Sequence, residues 1–362
     1  MSQTFLNKPA RTLGILGGGQ LGRMSALAAA RLGIKTHIFC PDQESPASYV
    51  AARSFVAAYD DQAALAEFAQ SVDVISYEFE NIPVETVRYL KTLKPVFPDD
   101  DLLEIAQHRW SEKQFLNDIG IPTAQWSKAI CADDVRVTLH KWDATSCIIK
   151  TTRLGYDGKG QARIETLSDI DTAWSSLKTE EAIVESLVSF KHEISVIVAR
   201  DQFGKTEAYC PVLNDHKNHI LSKTTAPAPL NNALLNEASQ MAVKLAEKLD
   251  LVGVLGLELF VTEDGQIIAN EIAPRTHNSG HWTIDACAVS QFENHVRTVC
   301  GLPVGKTNRH CDAVMLNLIG DDVALVEDYL TQANACIHLY GKPEIRAGRK
   351  MGHITLLTPL KK

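Results

Sequence analysis

The chain has 362 residues, 45% hydrophobic and 22% charged, and its 36 basic against 44 acidic side chains give a formal net charge of −8. This is the composition of a soluble globular protein large enough for two or three domains, and the acidic balance argues against a nucleic-acid or membrane partner and for small molecules. The eight cysteines form no Cys-x-x-Cys pair, the first residues carry no apolar leader pattern and no apolar run reaches membrane-spanning length, so a reducing, cytoplasmic setting is expected.

Thr12 to Leu16 reads as a strand, and Gly17-Gly18-Gly19-Gln20-Leu21-Gly22 at its end matches G-x-G-x-x-G. A helical run from Arg23 to Leu32 and a strand from Lys35 to Phe39 follow. This predicts a doubly wound α/β domain whose glycines let an anionic group approach a helix N-terminus. Asp42 stands where a dinucleotide fold places its ribose-binding acid, so on this motif alone a nicotinamide dehydrogenase fits as well. After the helical Gln62 to Gln70, a strand from Val72 to Ser76 ends in Tyr77-Glu78-Phe79-Glu80-Asn81. Acids at the carboxyl end of a parallel strand lie where open α/β sheets bind ligands; a solvated loop is the other reading of Glu78 and Glu80. Pro95, Pro98 and Asp99 to Asp101 end this domain.

Leu102 to Ile119 is expected to be one helix, with Arg109 and Lys113 one turn apart as a solvated face or as phosphate ligands. A strand from Ser146 to Lys150 leads into Thr151-Thr152-Arg153-Leu154-Gly155-Tyr156-Asp157-Gly158-Lys159-Gly160-Gln161. Glycines among Lys150, Arg153 and Lys159 suit a loop that wraps phosphates and moves as a lid; a plain surface hairpin is the alternative. Ala182 to Ser186 and Glu193 to Ala199 read as strands, with Glu185 where a hinge grips a base or ribose. Asn231 to Leu249 is amphipathic through Leu234, Leu235, Ala238, Met241, Ala242, Leu245 and Leu249, a core-packing stripe.

Val252 to Trp282 carries the strongest signal. Asp264-Gly265 between two apolar runs predicts a two-residue hairpin turn, with Glu263 facing Gln266, Phe260 facing Ala269 and Glu258 facing Glu271. Like charges directly opposed are destabilising, and a lone carboxylate in an apolar strand is costly. Oxygen ligation of Mg²⁺ removes both difficulties; an exposed acidic hairpin is the alternative. The next loop brings Arg275, His277, Asn278, Ser279 and His281 together as donors for an anionic ligand, whereas a His277/His281 zinc pair lacks completing ligands. Near the end, Lys342 to His353 is basic between apolar strands, either a phosphate clamp or a solvated cluster.

Taken together, GGGQLGRM, the Lys150 strand with GYDGKGQ, the Glu258/Glu271 pair with NEIAPRTHNSGHW, and AGRKMGH resemble the ATP-grasp superfamily. Within it they resemble the ATP-dependent aminoimidazole ribonucleotide carboxylases of purine biosynthesis. The resemblance implies α/β and α+β architecture: a Rossmann-like pre-ATP-grasp domain over 1–101, a two-lobed ATP-grasp domain over 102–302 with a glycine-rich lid at about 145–210, and a small β-rich C-terminal domain over 303–362. It implies a homodimeric ligase that forms a C–N bond, carboxylating 5-aminoimidazole ribonucleotide with ATP and bicarbonate through carboxyphosphate. It further implies Mg²⁺, or Mn²⁺ in its place, on Glu258 and Glu271. Many ATP-grasp enzymes add an Asn ligand where Ala273 stands, so two carboxylates with Asn270 nearby are expected.

By the same resemblance, ATP contacts fall on Arg109, Lys150, Gly155, Tyr156, Asp157, Gly158, Lys159, Gly160, Gln161, Glu185, Ser186, Leu187, Val188, Glu193, His216, Asn270 and Glu271. Ribonucleotide contacts fall on Gln20, Glu80, Tyr156, Asp157, Lys342, Arg349 and Lys350, and the catalytic set is Arg275, His277, Asn278 and Lys150. A formate-dependent ATP-grasp enzyme acting on another ribonucleotide is the near alternative. A dehydrogenase explains residues 12–42 alone.

Overall fold

In the computed structural model, which describes residues 11–155 and 158–360, the chain is carried by three sheets. The first is built from β1 (Thr12–Leu16), α1 (Gln20–Arg31), β2 (Lys35–Cys40), β3 (Arg53–Val56), α2 (Gln62–Gln70), β4 (Val74–Tyr77) and α3 (Val84–Lys91). Its strands are all parallel, in the order β3–β2–β1–β4. Leu13, Leu16, Ile38 and Phe39 are fully buried, the apolar run of a sheet covered on both faces. Helix α1 begins at Gln20, earlier than the expected Arg23, because an acceptor waits at its N-terminus (below).

The expected helix from Leu102 to Ile119 is two helices, α4 (Asp100–Gln107) and α5 (Arg109–Asp118). His108 between them is extended, at φ −123° and ψ 110°, and the Arg109 N–H leaves the helical ladder to donate to Thr152 O at 3.0 Å. The break therefore ties α5 to the chain beside the glycine-rich loop.

The second sheet comprises β5 (Trp126–Ala129), β6 (Cys147–Thr151), β7 (Gln161–Ile164) and β8 (Ala182–Glu185), antiparallel in the order β5–β8–β6–β7. Helices α6 (Ala132–Lys141) and α7 (Ile170–Leu177) cover it over a core of Val135, Leu139, Ile149, Ile164, Ile170 and Val184. The glycine-rich turn thus belongs to a unit that starts upstream of residue 145, and β9 (Phe190–Arg200) already lies in the third sheet.

That third sheet has nine strands. β9 is joined by β10 (Thr206–Ala208), β11 (Val212–Lys217), β12 (Ile220–Ala226), β13 (Gly253–Thr262) and β14 (Ile267–Ala273), then by β15 (Asp312–Ile319), β16 (Ala335–Leu339) and β17 (Lys350–Thr358). The order is β14–β13–β9–β11–β12–β15–β17–β16, with β10 on β9. The β12–β15 pairing makes the chain beyond residue 303 continuous with the strands that precede it. Helix α8 (Asn232–Lys248) buries Ala238, Ala242 and Leu245 against this sheet, and the Asn231 side chain caps it by accepting the Leu234 N–H at 3.0 Å. Short helices α9 (Thr283–Ala286), α10 (Gln291–Val299) and α11 (Val326–Tyr329) complete the chain.

Candidate active site

Between the second and third sheets lies a cavity of about 940 Å³. One side is lined by Arg109 and Lys113 of α5, Lys150 of β6, Gly158, Lys159, Gln161, and the Glu185-Ser186-Leu187-Val188 segment that leaves β8. The other side is lined by Glu193, Asn214, His216, Glu258, Asn270, Glu271, His277, Asn278 and Lys350. Phe190 and Phe260 stack at 4.5 Å, 19° from parallel, and with Ala124, Ile148 and Leu221 form an apolar wall suited to a flat ring. No local motif marks that wall, since its two rings meet only through the pairing of β9 with β13.

The expected carboxylate pair forms, but by another route. Glu258 and Glu271 are Cα partners, whereas Phe260 pairs with Ile268 rather than Ala269. The turn has three residues instead of two: Thr262 N–H donates to Gln266 O at 2.9 Å, so Thr262 and not Glu263 faces Gln266. Gly265 takes φ +84°, the left-handed position of a three-residue hairpin. A bulge at Asn270 cancels the one-residue offset. Bulges bend a strand and re-aim its side chains; here consecutive Asn270 and Glu271 both face the cavity, and Asn270 O accepts Lys113 Nζ at 2.8 Å. The two carboxylates form an all-oxygen donor set of the kind a hard cation takes.

Charge in the cavity is organised around Glu185, which is buried. Lys150 Nζ donates to its Oε2 at 2.6 Å and Lys113 Nζ lies 3.4 Å from its Oε1. Burial alone would raise the Glu185 carboxyl, but the two lysines override it and hold it at about 2. Burial in turn pushes the Lys150 ammonium below its usual value, although Glu185 opposes this. Glu185 Oε1 accepts no hydrogen bond, leaving a buried acceptor on the cavity wall. Across the cavity Arg109 Nη1 donates to Glu271 Oε2 at 3.3 Å, and His216 Nδ1 lies 2.8 Å from Glu193 Oε2. Beneath them Glu112 accepts the Ile272 N–H at 2.6 Å, and burial pushes its carboxyl up to about 7.

A second centre adjoins this one at the end of β4. Glu78 accepts N–H groups from Gly19 and, at 2.6 Å, from Gly22, so it occupies the N-terminus of α1. A Cβ on Gly19 would stand 2.5 Å from Glu78 Oε1. The glycine motif therefore cradles the chain's own carboxylate, and the place of a dinucleotide pyrophosphate is taken. Asp42 is exposed and gains no role from this arrangement. Burial raises the Glu78 carboxyl, with its amide bonds and the charges of Arg275 and Lys342 opposing. Glu80 receives both Arg275 Nε and, at 2.9 Å, Arg275 Nη2, and this guanidinium overcomes burial to hold it at about 2. Lys342 donates to Lys350 O at 2.7 Å, and burial, with Arg349 nearby, pulls its amine down to about 8. Arg349 Nη1 donates to Glu344 O at 3.0 Å.

Of the residues expected from the sequence, the ATP set gathers on the large cavity, except that Gly155 lines a smaller neighbouring cavity of about 50 Å³ together with Glu80. Gly160 closes the β6–β7 turn at φ +71°, where a Cβ would stand 2.6 Å from Thr151 Oγ1. Tyr156 and Asp157 lie outside the described residues. Gln20, Glu80, Arg275 and Lys342 group about Glu78 rather than on the large cavity, and Lys350 lines the large cavity while its backbone holds Lys342. Lys113, weighed with Arg109 as a phosphate ligand or a solvated face, lines the large cavity, whereas Glu112, Asn214 and the phenylalanine pair were missed as site residues.

His277 and His281 do not converge. His281 is fully buried against the rings of Phe292, Tyr340 and His353. Asp285, His338 and His353 lie close enough to suggest a metal. However, the two imidazoles stack at 4.5 Å, 13° from parallel, so their in-plane lone pairs run in nearly parallel planes and do not meet at one ion.

Residues 10–107 match the ribonucleotide synthetase preATP-grasp domain family, 114–292 the ATP-grasp domain family, and 313–361 the phosphoribosylaminoimidazole carboxylase C-terminal domain family. The chain is 50% identical to the N5-carboxyaminoimidazole ribonucleotide synthase of Brucella melitensis, over 99% of each chain. It is 42% identical to that of Bacillus subtilis, over 96% of this chain and 92% of the relative. Among solved structures, an ADP complex of N5-carboxyaminoimidazole ribonucleotide synthetase superposes with a TM-score of 0.93 at 40% identity, covering 97% of this chain and 93% of the other. The Aspergillus clavatus enzyme in complex with ADP and 5-aminoimidazole ribonucleotide superposes with a TM-score of 0.90 at 31% identity, covering 97% and 94%.

Proposed function

The chain belongs to the N5-carboxyaminoimidazole ribonucleotide synthase family of ATP-grasp ligases, and from that premise we propose how its own residues perform the reaction. The enzyme catalyses ATP-dependent carboxylation of 5-aminoimidazole ribonucleotide in purine biosynthesis. The observation that carries the residue assignments is the single cavity that joins the lysine–Glu185 cluster, the opposed carboxylates and the His277-Asn278 loop.

ATP lies with its base against Phe190 and Phe260, and Glu185 Oε1, which has the Lys113 charge beside it but accepts no hydrogen bond, accepts a hydroxyl or amine of the nucleoside. Arg109, Lys113, Lys150 and the Gly158 to Gln161 turn meet the phosphates. Glu258 and Glu271 would hold Mg²⁺, or Mn²⁺, which would supply positive charge to the phosphate oxygens. A bicarbonate oxygen attacks the γ-phosphorus as the bond to the ADP oxygen breaks, which gives carboxyphosphate. The exocyclic amine of the ribonucleotide then forms the C–N bond, losing a proton as inorganic phosphate departs. No protein nucleophile is required; Arg275, His277 and Asn278 face bicarbonate and fix where it sits. Gln20, Glu80, Lys342, Arg349 and Lys350, with Tyr156 and Asp157, bind the ribonucleotide. We further propose a cytoplasmic homodimer.

The test is ADP release from MgATP with and without 5-aminoimidazole ribonucleotide. Strong stimulation that disappears when bicarbonate is stripped is expected. Turnover that ignores bicarbonate but responds to formate with another ribonucleotide would move the substrate assignment to the sister activity.

A further inference from the structure

We infer that Thr224, Asn214, Ser195 and Ser279 are positioning residues: they form a buried hydrogen-bond chain that fixes His277 as its Nε2–H tautomer, a permanent donor toward Glu258 on the cavity wall. The inference deepens the carboxylase reading and rests on it only for the kinetic half of its test.

The polarity of the chain follows from its active-site end. His277 Nε2 lies 2.9 Å from Glu258 Oε1, and a carboxylate offers only acceptors, so Nε2 carries a ring proton. Nδ1 faces the Ser279 N–H at 3.4 Å, which can only donate, and Ser279 Oγ at 2.8 Å, so Nδ1 keeps its lone pair and accepts. With its one hydroxyl proton committed to Nδ1, Ser279 must accept from a neighbour, and Ser195 Oγ stands 2.6 Å away. Ser195 in turn accepts from Asn214 Nδ2 at 2.9 Å, and Asn214 Oδ1 accepts from Thr224 Oγ at 3.0 Å. Every donor points toward His277. The opposite tautomer would set a lone pair against the Glu258 carboxylate and a ring N–H against a backbone N–H.

Three observations make this a built device rather than a chance string of polar contacts. Ser195, Ser279 and Thr224 are wholly buried, where each hydroxyl requires a partner. The chain crosses three neighbouring strands, β12, β11 and β9, which anchors the ring to the middle of the large sheet. The backbone of His277 is clamped as well, its N–H donating to Gln291 Oε1 at 2.9 Å and its C=O accepting Gln291 Nε2 at 2.7 Å. His277 consequently commits its one ring N–H to orienting an oxygen of Glu258 at the cavity wall, and with Nδ1 held by Ser279 the ring offers no free acceptor there.

Protein labelled with ¹⁵N-histidine, without substrates, reports the tautomer directly, with the His277 signals assigned by their loss in His277→Gln. Protonated Nε2 and unprotonated Nδ1 are expected; a wild-type Nδ1–H signal would overturn the inference without any variant having to fold. In Ser279→Ala the single tautomer should be lost and kcat should fall about 5- to 100-fold, with KM for ATP within about threefold, while Ser279→Thr keeps the hydroxyl and should recover most of the rate. Because both serines act through one ring, Ser195→Ala combined with Ser279→Ala should be no slower than Ser279→Ala alone. An unchanged tautomer in Ser279→Ala, or losses that multiply in the double variant, would overturn the assignment. The expected tautomer in protein that fails to turn over the ribonucleotide would support this inference and refute the carboxylase reading.

Discussion

Glu271→Gln separates the metal assignment from any role in stability. The Glu271 side chain is 41% exposed, and its ion pair is with Arg109 at 3.3 Å. With its carboxylate side open to solvent the pair contributes about 0–1 kcal/mol, and for the more buried Arg109 a Gln keeps an oxygen to bond. The melting temperature should therefore move by no more than about 3 °C. Activity should respond far more strongly. An oxygen ligand lost from the cation that neutralises a transferring phosphate costs about 10²–10³ in kcat, and the Mg²⁺ concentration for half-maximal rate should rise as well. The assay is steady-state ADP release across a Mg²⁺ titration, with a thermal melt on the same preparation. A variant that melts like wild type and turns over within about threefold of it at the same Mg²⁺ would refute the reasoning, since such a residue would hold no metal.

Glu185→Gln should behave differently, because it strands buried Lys113 and Lys150 without their counter-charge. Removing one partner of a buried ionic cluster costs about 3–5 kcal/mol, so calorimetry should find a melting temperature lower by about 4–7 °C, alongside weakened ATP binding. Lys342 has its amine lowered to about 8 by burial, so it is a cation below that pH and neutral above. If it pairs with the ribonucleotide phosphate, kcat/KM for the ribonucleotide should drop as pH rises through that value, and Lys342→Arg should move the drop to higher pH; identical profiles would remove Lys342 from the site. Glu78→Ala uncovers the Gly19 and Gly22 N–H groups and should cost about 1–3 kcal/mol by denaturant unfolding, and wild-type protein should show no NADH fluorescence change on titration.

Much of this site was legible wherever a local pattern decides structure. The α8 stripe emerged with its Asn231 cap because helical periodicity and capping are properties of a short window. The opposition of Glu258 and Glu271 was legible in outcome but not in route: Asp264-Gly265 suggested a two-residue turn, and the three-residue loop returned to the same register only through the Asn270 bulge. Nothing nearby in sequence announces that bulge, which answers to Lys113 far upstream. The break at His108 was hidden for the same reason, since the acceptor that draws the Arg109 N–H out of the helix is Thr152, just past the end of β6 and far along the chain. The glycine motif misled most. Its backbone geometry favours any anion at a helix N-terminus, and only the fold reveals that Glu78 is the anion. The continuity of the last strands with the large sheet depends on β12–β15 pairing across a long separation, which no window-based pattern contains.

The account's central claim is that an oxygen of bicarbonate captures the γ-phosphoryl group before carbon reaches the ribonucleotide amine. The most direct test is turnover of MgATP and 5-aminoimidazole ribonucleotide with ¹⁸O-labelled bicarbonate, reading the label in the released phosphate. The account predicts one ¹⁸O in each phosphate, formed in step with ADP and carboxylated product. Carboxylated product accompanied by unlabelled phosphate would contradict it.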